Sequence, residues 1–122
     1  MLLAANIVTG LVAAIHVYIL VLESFWWSRA VKVFAVPRDQ RDNPLLKTAF
    51  QNQGAYNGVL AAGLFWALAH PDPAMGFQLK LFFLGAVAAM GLVGAATADT
   101  KILFVQTIPA ALGMGLVAAA GV

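Results

Sequence analysis

Four long runs of the chain are almost free of charged residues, and they dominate its hydrophobic pattern. The runs cover 2–22, 48–79, 81–98 and 102–122, and Asp72 is the one charged residue within them. Each run is near the roughly 20 residues needed to cross a bilayer core of about 30 Å. The second run is trimmed at the turn-forming stretch 71–76. We therefore predict four transmembrane helices at approximately 2–27, 48–70, 74–98 and 101–121.

Composition supports a membrane as the solvent for these helices. The chain has 122 residues, of which 62% are hydrophobic and 10% charged, whereas about 25% charge is typical of soluble domains. We expect one all-α integral membrane domain over 1–122, arranged as a compact up-down four-helix bundle. We also expect 2–22 to be a retained span, because no Lys or Arg precedes it and no small-residue cleavage site follows it. The absence of cysteine excludes disulfides and thiolate chemistry.

The distribution of Lys and Arg predicts the orientation. Five cations lie in the connection 28–47 and Lys101 in the connection 98–101, whereas Lys80 is alone on the opposite side. The positive-inside rule then makes both connections cytoplasmic and leaves both termini outside. Because topology already explains these cations, we expect no nucleic-acid partner. Asp72, followed by Pro73, is predicted to cap the third span.

Polar side chains recur along one face of the first span. Asn6, Thr9, His16 and Glu23 share that face by helical spacing. Glu23 lies six residues before Arg29, which places it near the cytoplasmic interface. His16 is about 10 Å deeper. An ionisable residue within a span is a functional candidate by default.

The other spans also place polar residues in their cytoplasmic third. The candidates are Asn52, Gln53, Tyr56 and Asn57 in the second span, Thr97 in the third and Gln106 in the fourth. Together with His16 and Glu23 they predict a shared polar pocket that opens towards the cytoplasm, for ligand binding or proton coupling. The alternative is that the amides only join helices, at about 0.6 kcal/mol for each hydrogen bond.

Small residues at four-residue spacing predict close helix contacts. Gly54 and Gly58 form such a row in the second span, and Gly91 and Ala95 form one in the third. In lipid, rows of this kind allow two helix backbones to approach. Such rows fit contacts within one bundle and contacts across a dimer equally well, so the chain is expected to be either a monomer or a homodimer.

Several stretches resemble a known bacterial family. They are NQGAYNGVLAAGL, HVYILVLESFWW, KVFAV, LFFLGAVAAMGLVGAAT and KILFVQTIPA. Together they look like the domain-of-unknown-function 1304 family of small integral membrane proteins, and the likeness covers nearly the whole chain. The resemblance implies four spans in the inner (plasma) membrane and marks Asn52, Gln53, Gly54, Tyr56, Asn57 and Gly58 as the signature. It implies no particular reaction.

Three functions fit these residues. The first is binding or transport of a small amphipathic molecule, with Glu23 coupling a proton or attracting a cation. The second is a membrane-embedded enzyme that uses His16 and Glu23 as acid and base on a lipid-like substrate, as in an isomerisation. The third is a structural or accessory subunit. We expect no cofactor, and no metal because one His and one Glu are too few ligands. Membrane lipid is the expected partner in every case.

Overall fold

The computed structural model describes residues 1–121, and they are helical throughout apart from short connections. The helices are α1 (Leu2–Phe25), α2 (Trp27–Val33), a 3₁₀ turn (Arg38–Gln40), α3 (Pro44–Ala69), α4 (Pro73–Thr97), a π-helix (Leu103–Thr107) and α5 (Ile108–Ala120). The all-α prediction is therefore confirmed.

Two helices begin at an Asx-Pro pair. Asp72 accepts a hydrogen bond from the backbone N–H of Ala74 at 3.0 Å, as predicted for the start of α4. Asn43 does the same for Leu45, also at 3.0 Å. Proline suits the first helical position because its φ is already helical and no N–H is lost. Consequently α3 begins at Pro44, one turn before the predicted start at residue 48.

The first helical segment is interrupted between α1 and α2, where Trp26 adopts φ −129° and ψ 59°. α2 then ends in a Schellman motif, in which the Val36 N–H bonds to the Val31 carbonyl at 2.9 Å. Ala35, the residue immediately before Val36 in this turn, has φ +51°. It occupies the left-handed region that glycine adopts more easily.

The chain divides into two compact units. The first comprises Met1–Ala14 and Leu60–Val122. Its buried core takes side chains from four helices, namely Ala5, Val12 and Ala13 of α1, Leu64 of α3, Leu84 and Val87 of α4, and Ala110 and Val117 of α5. Gly113 allows α5 to approach Leu84, since a Cβ there would lie 3.2 Å from that side chain.

The second unit comprises Ile15–Val59. Aromatic contacts join its short helix to α3: the Phe50 ring lies 5.3 Å from Trp27 and 5.5 Å from Phe34, between ring centroids. The indole N–H of Trp27 donates to the Arg41 carbonyl at 2.9 Å. α2 and its C-terminal end are thereby joined both to α3 and to the connection between the two helices.

Within residues 1–121, three helical segments are long and apolar enough to cross a membrane: Leu2–Phe25, Pro73–Thr97 and Leu103–Ala120. These segments indicate a membrane protein. α3 has 26 residues and is long enough, but its stretch 51–57 contains Gln51, Asn52, Gln53 and Asn57, which make it more polar than the others.

Candidate functional site

A buried carboxylate is the chemical centre of the second unit. Glu23 lies two residues before the end of α1 and is 1% exposed. The amide nitrogen of Gln53 donates to its Oε2 at 2.8 Å. The amide nitrogen of Asn57 donates to its Oε1, also at 2.8 Å. Each carboxylate oxygen therefore has its own donor from α3.

The two amides reach Glu23 because they are one helical turn apart on α3. Asn57 is 8% exposed, and its amide nitrogen also lies 3.2 Å from the Gln53 carbonyl of the preceding turn. Gln53 is an exposed residue. The Asn57 side of the carboxylate thus faces the protein interior, whereas Gln53 stands between the other oxygen and the protein surface.

Glycines on α3 allow this close approach. A Cβ on Gly54 would collide with the Ser24 hydroxyl and lie 3.0 Å from the Glu23 Cβ. A Cβ on Gly58 would lie 3.0 Å from the Leu20 side chain. The Ser24 hydroxyl donates to the Gln51 carbonyl at 3.0 Å, which adds a further link between the two helices. The predicted glycine row thus lies against the helix that carries Glu23.

The arrangement leaves Glu23 with unused accepting capacity. An ionised carboxylate has about four lone-pair positions, and two are occupied by the amides. A ligand with an N–H or ammonium group could bind alongside them or replace the Gln53 amide. The Gln53 amide is the more accessible of the two donors, because Gln53 is an exposed residue and Asn57 is buried.

His16 belongs to the same unit as Glu23. It is fully buried, two turns earlier on α1, about 10 Å away along the helix. This separation excludes direct contact between the imidazole and the carboxylate. A shared role would require a substrate or water between them.

Two other predicted residues of α3 do not join the cluster. Asn52 is exposed and Tyr56 is 67% exposed. They form the second i, i+4 pair on α3, displaced by one residue from the pair that binds Glu23. Their predicted role in ligand binding stays a prediction.

Thr97 and Gln106 belong to the first unit, whereas Glu23 belongs to the second. Thr97 is exposed and donates to the Val93 carbonyl at 2.7 Å. Gln106 is half-buried on the π-helix. Convergence of these two residues on the Glu23 cluster stays a prediction.

The second row of small residues lies in the first unit. Gly91 is buried, and a Cβ there would collide with the Thr107 hydroxyl and lie 3.0 Å from the Gln106 Cβ. Ala95, one turn later on α4, is half-buried. The Thr107 hydroxyl donates to the Ala88 carbonyl at 3.1 Å. Gly91 therefore lies at a close contact between α4 and the π-helix.

The sequence pattern did not predict a second polar pair, formed by the buried Lys80 and the half-buried Asn6. Lys80 is 7% exposed, and its ammonium donates to the Asn6 Oδ1 at 2.6 Å within the first unit. The sequence does contain a signal for it. Lys80 lies four residues after Gly76 and four before Leu84, and both belong to the buried face of α4. The helical period therefore places Lys80 inside, whereas the sequence pattern was used only to count its charge on the non-cytoplasmic side.

Comparison of the sequence with known proteins identifies the family of the chain. Residues 10–118 match the model of the family described as "Protein of unknown function (DUF1304)". The chain is also similar to the uncharacterized protein YpaA of Lactococcus lactis subsp. lactis (strain IL1403), with 31% identity over 102 residues, covering 82% of this chain and 84% of that protein. No solved structure matches it significantly. The chain belongs to the DUF1304 family.

Proposed function

We propose that this protein binds a small amphipathic molecule at Glu23, through a cationic or hydrogen-bond-donating group of that molecule. The observation that carries the proposal is a carboxylate that is 1% exposed yet has an exposed residue, Gln53, on one of its oxygens. Buried ionisable groups in membrane helices are expensive and are commonly functional.

Binding proceeds by exchange of hydrogen bonds. The ligand's donor replaces the Gln53 amide at Oε2, while Asn57 continues to hold Oε1 from the interior side. Because one charge-assisted hydrogen bond replaces another, the carboxylate is never left unpaired. The apolar part of the ligand lies among the exposed apolar side chains that a membrane helix presents to lipid.

We further propose that α3 is the fourth span. Its 26 residues extend about 39 Å, and two of the amides that make it polar are engaged by Glu23. The cations of 28–47 then lie on the cytoplasmic side by the positive-inside rule. In this orientation Glu23 is reached from the cytoplasmic leaflet.

The test is the binding of a fluorescent primary amine, dansylcadaverine, to the protein in phosphatidylcholine nanodiscs. We expect the wild type to bind it, and Glu23→Gln to bind at least about tenfold more weakly because the charged acceptor is lost. Asp39→Asn is the matched control, since it removes one carboxylate charge at an exposed loop position. The N-acetylated probe, which lacks the ammonium group, should bind weakly to all three proteins.

Absence of amine binding to the wild type would contradict this ligand class. Equal affinity of the wild type and Glu23→Gln would contradict the site. Gln53→Leu is a further test variant. It removes the amide that competes for Oε2 of Glu23 and should therefore preserve or tighten amine binding.

A structural role is the second candidate, favoured by the fact that both Glu23 oxygens already have donors within the chain. In that case the cluster joins α1 to α3 and binds nothing. Glu23→Gln would then lower the free energy of unfolding without any change in amine binding.

A further inference from the structure

A separate cavity lies just beyond the end of α1. Its volume is about 260 Å³, and its walls are Trp27 of α2, Arg41, Asp42 and Asn43 of the following connection, and Pro44 and Lys47 of α3. It shares no residue with the Glu23 cluster. Its volume is below the roughly 300–1,000 Å³ typical of pockets for drug-sized ligands, so it suits a small group.

Arg41 is held firmly at one wall of this cavity. Its backbone carbonyl accepts the Trp27 indole N–H at 2.9 Å. Its Nε donates to the Val36 carbonyl, also at 2.9 Å. Within residues 1–121, its two terminal guanidinium nitrogens have no protein acceptor. The planar guanidinium is therefore oriented in advance, with its two terminal donor groups available.

The cavity has an excess of positive charge. Lys47 is exposed, and within the described chain its ammonium has no acceptor and forms no ion pair with Asp42. Two cations and one carboxylate give the lining a net charge of +1. Asn43 accepts from the N–H groups of Leu45 and Leu46. The amides at the start of α3 are thus already used, and an anion would be held by the two cationic side chains.

The position of the cavity identifies the kind of anion. The apolar segment Leu2–Phe25 ends two residues before Trp27. Tryptophans flanking such segments lie at the level of the lipid headgroups. A cavity walled by this tryptophan lies at the same level, where phosphate is the common anionic group.

We propose that this cavity binds the phosphate group of an anionic membrane lipid, with Arg41 and Lys47 as its donors. Arg41 contacts two phosphate oxygens through its terminal nitrogens, as guanidinium groups do with phosphates. Lys47 supplies a second, point-like charge from the first turn of α3. The Trp27 ring forms the wall against the glycerol end of the lipid.

The proposal is tested by native mass spectrometry of the full chain released from micelles containing phosphatidylglycerol or phosphatidylcholine. We expect the wild type to retain one phosphatidylglycerol in clear preference to phosphatidylcholine. Lys47→Gln should retain it at least about tenfold less, because one charge-assisted contact is lost. Lys32→Gln is the matched control: it removes the same charge at an exposed position of α2 that does not line the cavity.

A second matched pair lies in the same connection. Arg41→Gln removes a charge that lines the cavity, and Arg38→Gln removes the same charge outside it. Lys47→Gln keeps the test independent of folding, because the Lys47 side chain has no hydrogen bond to lose within the described chain. Equal retention of phosphatidylglycerol by Lys47→Gln and Lys32→Gln would overturn the proposal, and so would equal retention of the two lipids by the wild type.

A further experiment adds inorganic phosphate in excess, to distinguish binding of a lipid phosphate from binding of the free ion. If phosphate fails to displace the lipid, the site recognises the phosphate within a lipid headgroup. If phosphate displaces it from the wild type and Lys32→Gln, the same phosphate site also takes the free ion.

Discussion

Asn57 on α3 donates a 2.8 Å hydrogen bond to Oε1 of Glu23 on α1, and both residues are buried. They are 34 residues apart in the chain. With Gln53 on the other oxygen, this bond gives a buried carboxylate two donors from one helix face. Removing one donor would leave a buried carboxyl oxygen without its hydrogen bond in a region of low dielectric, where the penalty is largest.

Asn57→Leu should therefore destabilise the protein by about 1–3 kcal/mol. The measurement is the free energy of unfolding in mixed detergent micelles, followed by circular dichroism. Asn52→Leu is the control, because Asn52 is an exposed amide on the same helix. It should change stability by less than about 0.5 kcal/mol.

The double variant Glu23→Leu/Asn57→Leu should lose less stability than the sum of its single variants. Each single variant leaves the other residue's polar group buried without its partner, whereas the double variant removes both groups. Strict additivity would mean that the 2.8 Å contact carries no energetic coupling.

The close approach of α3 to α1 gives a second prediction. Gly54→Ala should destabilise the protein by about 1–3 kcal/mol, because the new methyl group collides with Ser24 and the helices must separate. Gly115→Ala on α5 should instead stabilise it by about 0.5–1 kcal/mol, since nothing lies within 4 Å of the added Cβ. The measurement is the free energy of unfolding of the two variants in the same micelles. A Gly54→Ala variant at least as stable as Gly115→Ala would contradict the packing at Gly54.

The hydrogen bond between the buried Lys80 and the half-buried Asn6 gives a third prediction. Asn6→Leu should destabilise the protein by about 1–3 kcal/mol, because the Lys80 ammonium loses its acceptor. Adding Lys80→Met should recover part of that loss, since the buried charge is then removed as well. Gln78→Leu, at an exposed position of α4, is the control. If Asn6→Leu is as stable as Gln78→Leu, the pair contributes nothing to folding.

Periodicity and charge were enough to predict much of the fold. The apolar runs predicted helices, and the Asp72-Pro73 pair predicted the start of α4. The i, i+4 spacing of Gln53 and Asn57 correctly indicated that the two side chains share a helix face, and both bind Glu23. These features are local, so each can be read from a few neighbouring residues.

Features that depend on packing between helices could not be predicted in the same way. Gln53–Asn57 and Asn52–Tyr56 have the same spacing, and only the rotation of α3 about its axis decides which pair reaches Glu23. Similarly, Lys80 counted only as a charge on the non-cytoplasmic side, because sequence alone does not reveal that Asn6 offers it an acceptor. Partner identity across helices requires the tertiary structure.

The turn after α2 gives the last prediction. Ala35 has φ +51°, a conformation that costs an L-residue roughly 1–2 kcal/mol and glycine almost nothing. Ala35→Gly should therefore stabilise the protein by up to about 1 kcal/mol, with the Val36-to-Val31 hydrogen bond of the turn preserved. Ala55→Gly is the matched control at an exposed position inside α3. There the same substitution should destabilise by about 0.5–1 kcal/mol. The measurement is the unfolding curve of each variant in micelles, and a destabilisation by Ala35→Gly as large as that by Ala55→Gly would rule out the left-handed turn at Ala35.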